Sequence, residues 1–131
     1  ENPVFYVQYS YARISSLFRT LNIETKKVFQ INESDFKLNI HELGLFRKIL
    51  DWPKVIETAS IKFEPHRVPF YLYELATLFH SYWSKGNEDP AYKFIIDGKI
   101  KSNNTLLIIK LVALTIENGM KILGVSLPTK M

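Results

Sequence analysis

Residues 65–83, PHRVPFYLYELATLFHSYW, constrain the fold most, because they hold more aromatic side chains than any other helix-length segment of the chain. At 100° per residue two adjacent rows form: Tyr71, Leu75, Leu78 and Tyr82, then Leu72, Ala76, Phe79 and Trp83. The two rows merge into one wide apolar face, which only other elements of a core can cover. Tyr73, Glu74, Thr77, His80, Ser81 and Ser84 take the remaining arc and are expected in water. Phe79 and Trp83 lie at the edge of the apolar face, which suits either the margin of a core or a platform for a ligand. Pro69 cannot sit deep in this helix. The helix therefore begins near Val68, or residues 65–68 form a separate, kinked first turn.

The rest of the chain supplies partners for that face. Asn2-Pro3 reads as a helix start, since Asn caps and proline suits the first helical position. That helix is expected over residues 3–21, with Val7, Tyr11, Ile14, Leu17, Phe18 and Leu21 inward. Tyr6, Tyr9 and Arg13 share a different face. Two tyrosines and an arginine off the apolar stripe suit a surface that stacks on and pairs with something anionic. They equally suit a second layer of protein. Residues 22–38 read as a polar loop, with a short apolar anchor at 28–31 and a solvated Lys26-Lys27 pair. Asn39-Ile40-His41-Glu42 is a capping box. The helix after it is expected to bury Leu43, Phe46, Ile49 and Leu50 and to end before Pro53, which starts another helix through about Lys62. Residues 86–89 read as a break, and 91–101 as loop or short helix. Asn103 or Asn104 caps a last helix that runs to about Leu123 and is apolar nearly all round, hence central. Lys110, Glu117 and Lys121 mark its wet edge, and Gly124 stops it.

These readings sum to one all-α domain, an antiparallel bundle of about five helices. Five glycines and six prolines among 131 residues are too few for a turn-rich all-β fold. With no cysteine, disulfides and thiolate metal sites are excluded. His41, His66 and His80 lack metal-ligand spacing, and there is no Gly-rich phosphate loop and no serine in a nucleophile-elbow setting. The net charge of +4 favours an anionic partner, nucleic acid first. No apolar run is long enough to span a bilayer, and no signal peptide is visible. The residues alone therefore describe a binding module rather than an enzyme.

Three stretches carry a resemblance: residues 2–13 (NPVFYVQYSYAR), 65–83, and 118–131 (NGMKILGVSLPTKM). Together they resemble the C-terminal anticodon-binding domain of bacterial-type arginyl-tRNA synthetases, the DALR domain of these class I enzymes. The three blocks keep the family's order and spacing, whereas residues 22–62 and 91–104 are only loosely similar. The initial Glu1 suits a piece of a longer protein or a processed one, and the resemblance implies the former, with the catalytic and N-terminal domains outside this sequence. It implies that this piece does not catalyse, needs no cofactor and binds the anticodon loop of arginine tRNA. The ATP and magnesium of the parent ligase would belong to the catalytic domain, which is the chain's other expected partner. A monomeric, cytoplasmic protein is implied as well. Tyr6, Tyr9 and Arg13 match positions that line the family's anticodon site. Phe79 and Trp83 match positions where large side chains pack against a base, and Met131 matches the terminal methionine that closes the site. The chain departs from the pattern at Tyr11 (commonly His), Pro69 (commonly Ala) and around Leu106, where the usual arginine is missing. A helical protein-interaction module with an aromatic surface is the alternative.

Overall fold

The computed structural model describes residues 3–21 and 37–131. Among these residues, five helices and one hairpin follow in the order α1 (Pro3–Thr20), α2 (Ile40–Leu50), α3 (Trp52–Ile61), α4 (Arg67–Glu88), β1 (Ile95–Ile96), β2 (Lys99–Ile100) and α5 (Asn103–Leu123). A single 3-10 turn, Pro90–Tyr92, joins α4 to the hairpin. The expected loop and apolar anchor between α1 and α2 fall outside the described residues, as does the Asn2 cap.

Helix α4 is the hub and packs against α1, α2, α3 and α5. Tyr71, Leu72, Leu75, Ala76, Phe79 and Tyr82 are all buried along it. Leu78, expected in the core, is exposed at the border of the arc. Pro69 is tolerated because α4 begins at Arg67, so the missing N–H falls among the first four, which have no acceptor within the helix. Helix α5 buries ten residues, as a central helix must. Its cap is Ser102, whose hydroxyl accepts from the Thr105 amide at 3.1 Å. Asn104 instead donates to the Lys37 carbonyl. At the other end Gly124 adopts φ +70°, a left-handed stop that favours glycine.

Contacts fix the helix directions. Along α4, Tyr71 lies beside α2's Lys48 while Tyr82 reaches Glu42, so α2 runs opposite to α4. Helix α1 runs with α4 instead, since Tyr6 meets Tyr73 and Arg13 meets Trp83.

Glu42 anchors three elements at one buried point. Its Oε1 accepts from the Asn39 amide at 3.0 Å, completing the capping box. Its Oε2 accepts from the Tyr82 hydroxyl at 2.8 Å and the Thr105 hydroxyl at 2.5 Å. A buried carboxylate is tolerated when donors surround it in this way. Burial, with the adjacent Glu42 carboxylate, pushes the Tyr82 phenol above its usual range. Around Glu42 the inward stripe of α2 differs from the expectation. Leu45 is fully buried, and Leu50 is 62% exposed. Helix α2 ends at Leu50 and the chain turns at Asp51, so Leu50 swings outward.

Two further segments depart from the sequence reading. Gly86 is buried inside α4 rather than in a break. A Cβ there would lie 2.9 Å from the Tyr92 carbonyl oxygen, so the connector closes on the helix at a point only glycine allows. Residues 95–100 form an antiparallel hairpin, pairing Ile95 with Ile100 and Ile96 with Lys99. Asp97 and Gly98 both have positive φ, 54° and 76°, the signature of a tight two-residue turn matched to strand twist.

Candidate nucleic-acid interface

Where α1 and α4 run side by side, small residues sit at the contact. Ser10 and Ala76 are both buried. They bring the two backbones close and leave larger side chains to stand along the groove. Tyr6, Tyr9 and Arg13 project from α1 at i, i+3 and i+7. Tyr73, His80 and Trp83 answer from α4.

The result is a ladder of flat groups. Tyr73 packs on Tyr6 at 5.1 Å between centroids, Tyr6 on His80 at 5.0 Å and His80 on Tyr9 at 5.6 Å. The Arg13 guanidinium continues the series, 5.2 Å from the Tyr9 ring centre and 5.1 Å from that of Trp83. Its Nη2 also donates to the Tyr9 hydroxyl at 2.6 Å. Arg13 is thus held by two rings and one hydrogen bond, with its charge at the surface. Trp83 is braced from behind by Phe94, edge to face at 5.3 Å.

His80 is the interior rung. Its Nε2 lies 2.8 Å from the Ser10 hydroxyl. Burial, with the neighbouring Arg13 charge, lowers its pKa from 6.5 to about 4, so the ring is neutral at pH 7. Arg13 is then the one cation of the ladder.

The C-terminal tail completes the site. After Gly124 the Val125 amide donates to the Met120 carbonyl, and Val125 and Leu127 pack on the core. Gln8 donates to the Ser126 carbonyl at 2.8 Å, tying the tail to α1. The tail ends beside Arg13, where Tyr9, Ala12, Arg13, Ser16 and Met131 line a cavity of about 220 Å³. Met131 is 54% exposed there. A second open cavity, about 330 Å³, lies beside Tyr6 and His80 and is walled by His41, Ser81, Ser84 and Lys85.

The structure therefore brings Tyr6, Tyr9, Arg13, Trp83 and Met131 to one neighbourhood. Phe79 is the exception. It is 0% exposed, packed against Phe94, and offers no ring face to a ligand. Its place at the edge of the helical wheel is covered by the hairpin, which the sequence reading did not foresee. Tyr73 is exposed, as expected, and is also a rung of the ladder, whereas His80, expected in water, is half-buried within it. Their spacing of seven residues, matching that of Tyr6 and Arg13, was the signal available in the sequence.

A further cavity, about 610 Å³, lies elsewhere, between α2, α3 and the start of α4. Lys48 in its wall is already paired with Glu74 at 3.2 Å and lies over the Tyr71 ring. Among the described residues no group of three His, Asp or Glu side chains could hold a metal ion. None of the described helices is long and apolar enough to cross a membrane.

Comparison with known proteins gives this groove its context. Residues 7–131 match the family of the DALR anticodon binding domain. The chain belongs to that family. This DALR domain is 47% identical over 131 residues to an arginine–tRNA ligase of Pelagibacter ubique, covering all of this chain and 23% of the relative. It is 39% identical to the arginine–tRNA ligase of Roseobacter denitrificans, covering 96% of this chain and 22% of that protein. A solved structure described as an arginyl-tRNA synthetase from Campylobacter jejuni superposes with a TM-score of 0.77 at 28% identity, over 99% of this chain and 27% of that one. The DALR domain thus spans about a quarter of the length of the relatives it matches.

Proposed function

We propose that the α1–α4 groove binds the anticodon loop of arginine tRNA, and that the chain does so as part of an arginine–tRNA ligase. The observation that carries this reading is Arg13, fixed between Tyr9 and Trp83 at the open end of an aromatic ladder. Unpaired loop bases can be splayed out, stacked on aromatic or guanidinium planes and read at their exposed edges. Tyr9, Arg13 and Trp83 provide such planes, Tyr6 borders them, and Met131 supplies an apolar wall. Phe79 supports the platform from beneath without touching RNA. Family membership and the ligase relatives support the same assignment. Arginine activation, with its ATP and magnesium, belongs in this reading to the remainder of a longer, cytoplasmic, monomeric enzyme, with which this domain would pack.

The test is binding of an arginine-tRNA anticodon stem-loop to the 131-residue chain, followed by fluorescence anisotropy at fixed salt. Loss of one stacked base costs about 1–3 kcal/mol, so Tyr9→Ala and Trp83→Ala should each weaken binding by about 5- to 150-fold. Circular dichroism should report an unchanged fold. Wild-type affinity in both folded variants would refute the assignment.

A further inference from the structure

The segment after α4 packs on Trp83, at the margin of this groove, through Phe94, and carries basic residues with it. Lys93, Lys99 and Lys101 lie within nine residues of one another, with Asp97 the lone acid among them, and all three lysines are exposed. Among the described residues none of the three takes part in an ion pair. The Lys101 ammonium donates to the Ala91 carbonyl, which sets its direction.

Register places these charges. The strands pair Ile95 with Ile100 and Ile96 with Lys99, and the Lys101 amide donates to the Phe94 carbonyl at 2.7 Å. Residues opposite one another share a face, and faces alternate along a strand. Lys99 and Lys101 therefore lie on the same face as Phe94. Phe94 is the residue that packs on Trp83, at 5.3 Å, and on Tyr82, at 4.3 Å. Lys93 precedes it, where the connector closes on Gly86. The basic face of the hairpin is thus continuous with the back of the stacking platform.

We propose that Lys93, Lys99 and Lys101 form a phosphate-binding edge, which takes the RNA backbone of the nucleotides whose bases stack at Trp83 and Arg13. This rests on the anticodon-loop reading above and adds to it a second, sequence-independent contact. The platform binds base planes. The hairpin holds the polyanion that connects them, by charge complementarity alone. A lysine ammonium is a compact point charge on a flexible stem, suited to phosphates whose positions vary. Contacts of this kind set affinity and register but carry no base specificity.

The experiment measures stem-loop affinity as a function of salt. Each phosphate neutralised on a single strand contributes about 0.7 to the log–log slope, so Lys93→Gln/Lys99→Gln/Lys101→Gln should flatten the slope by about 2. The double variant Lys93→Gln/Lys99→Gln spares the Lys101–Ala91 contact and should flatten it by about 1.4. Replacing the same lysines by arginine should restore the wild-type slope. Trp83→Ala should lower affinity at every salt concentration and leave the slope in place. A wild-type slope in both glutamine variants, with wild-type RNA binding intact, overturns the phosphate edge alone. So does an arginine variant that behaves like glutamine. A wild-type chain that fails to bind the stem-loop even at low salt overturns the anticodon reading, and this inference with it.

Discussion

Lowering the pH from 7 to 5 destabilises the domain through one imidazole. His80 is half-buried between Tyr6 and Tyr9, beside Ser10 and the Arg13 guanidinium, and its pKa falls from 6.5 to about 4. The unfolded chain titrates near 6.5, so between pH 6.5 and about 4 it binds the proton that the fold refuses. Stability then rises with pH across that window. It is complete above 6.5 and falls as the pH drops toward 4. With both values taken at face, the loss at pH 5 would be about 2 kcal/mol. The ring is only partly buried, and solvent screening of its charge leaves about 1 kcal/mol. The assay is urea denaturation at pH 5, 6 and 7 for the wild type and for His80→Gln. Glutamine can still hydrogen-bond to Ser10 and does not titrate, while every carboxylate is the same in both proteins. The wild type should lose about 1 kcal/mol more than the variant between pH 7 and pH 5. Parallel stability curves for the two proteins would refute the reasoning.

Two further substitutions probe the packing that holds the site. Gly86→Ala gains about 0.5–1 kcal/mol of helix propensity but drives a methyl into the Tyr92 carbonyl, an overpacking that costs about 1–3 kcal/mol. A net loss of about 1–2 kcal/mol in urea denaturation is expected, and an alanine variant as stable as wild type would show that the connector moves freely. Glu42→Ala leaves the Tyr82 hydroxyl, the Thr105 hydroxyl and the Asn39 amide without their acceptor. Unsatisfied buried donors cost about 1–3 kcal/mol each, so the variant should lose about 3 kcal/mol or more, and Glu42→Gln less, because its amide oxygen still accepts.

Much of this architecture is legible from side-chain periodicity. Helices α1, α4 and α5 announce themselves through long apolar stripes, and the capping box and Gly124 mark ends by local chemistry that tertiary packing does not override. The misreadings have physical causes. On α2 the inward stripe contains Glu42, and a pattern search for apolar residues rotates the face away from a buried carboxylate, toward Leu50. The hairpin was missed because two-residue strands are too short to show alternation. Its one strong sign was Asp97-Gly98, a pair suited to a turn that needs two positive φ angles. Gly86 looked like a helix break because glycine disfavours helices, whereas here it is required by a neighbour that sequence cannot show. The same blindness hid the fate of Phe79, which lies on an edge of its own helix but beneath the hairpin. Of the residues singled out by the family resemblance, Tyr6, Tyr9, Arg13, Trp83 and Met131 are brought to one neighbourhood by elements that are separate in sequence, while Phe79 is buried.

The arrangement of α1 against α4 explains why the platform stands ready in the fold. An arginine free at a surface loses rotamer entropy when it binds, about 1.5–2 kcal/mol in full. Arg13 is already confined by Tyr9, Trp83 and its hydrogen bond, so in the proposed anticodon-loop reading folding has met that cost before RNA binds. Trp83 is confined in the same way by Phe94, and Phe94 by Tyr82, whose hydroxyl is fixed by Glu42. A continuous line of contacts thus runs from the buried carboxylate to the half-buried indole. Along that line, the interactions that stabilise the core are the same ones that set the geometry of the platform. Substitutions at Glu42 or Phe94 would therefore weaken RNA binding and stability together, whereas those at Tyr9 or at the hairpin lysines would separate the two.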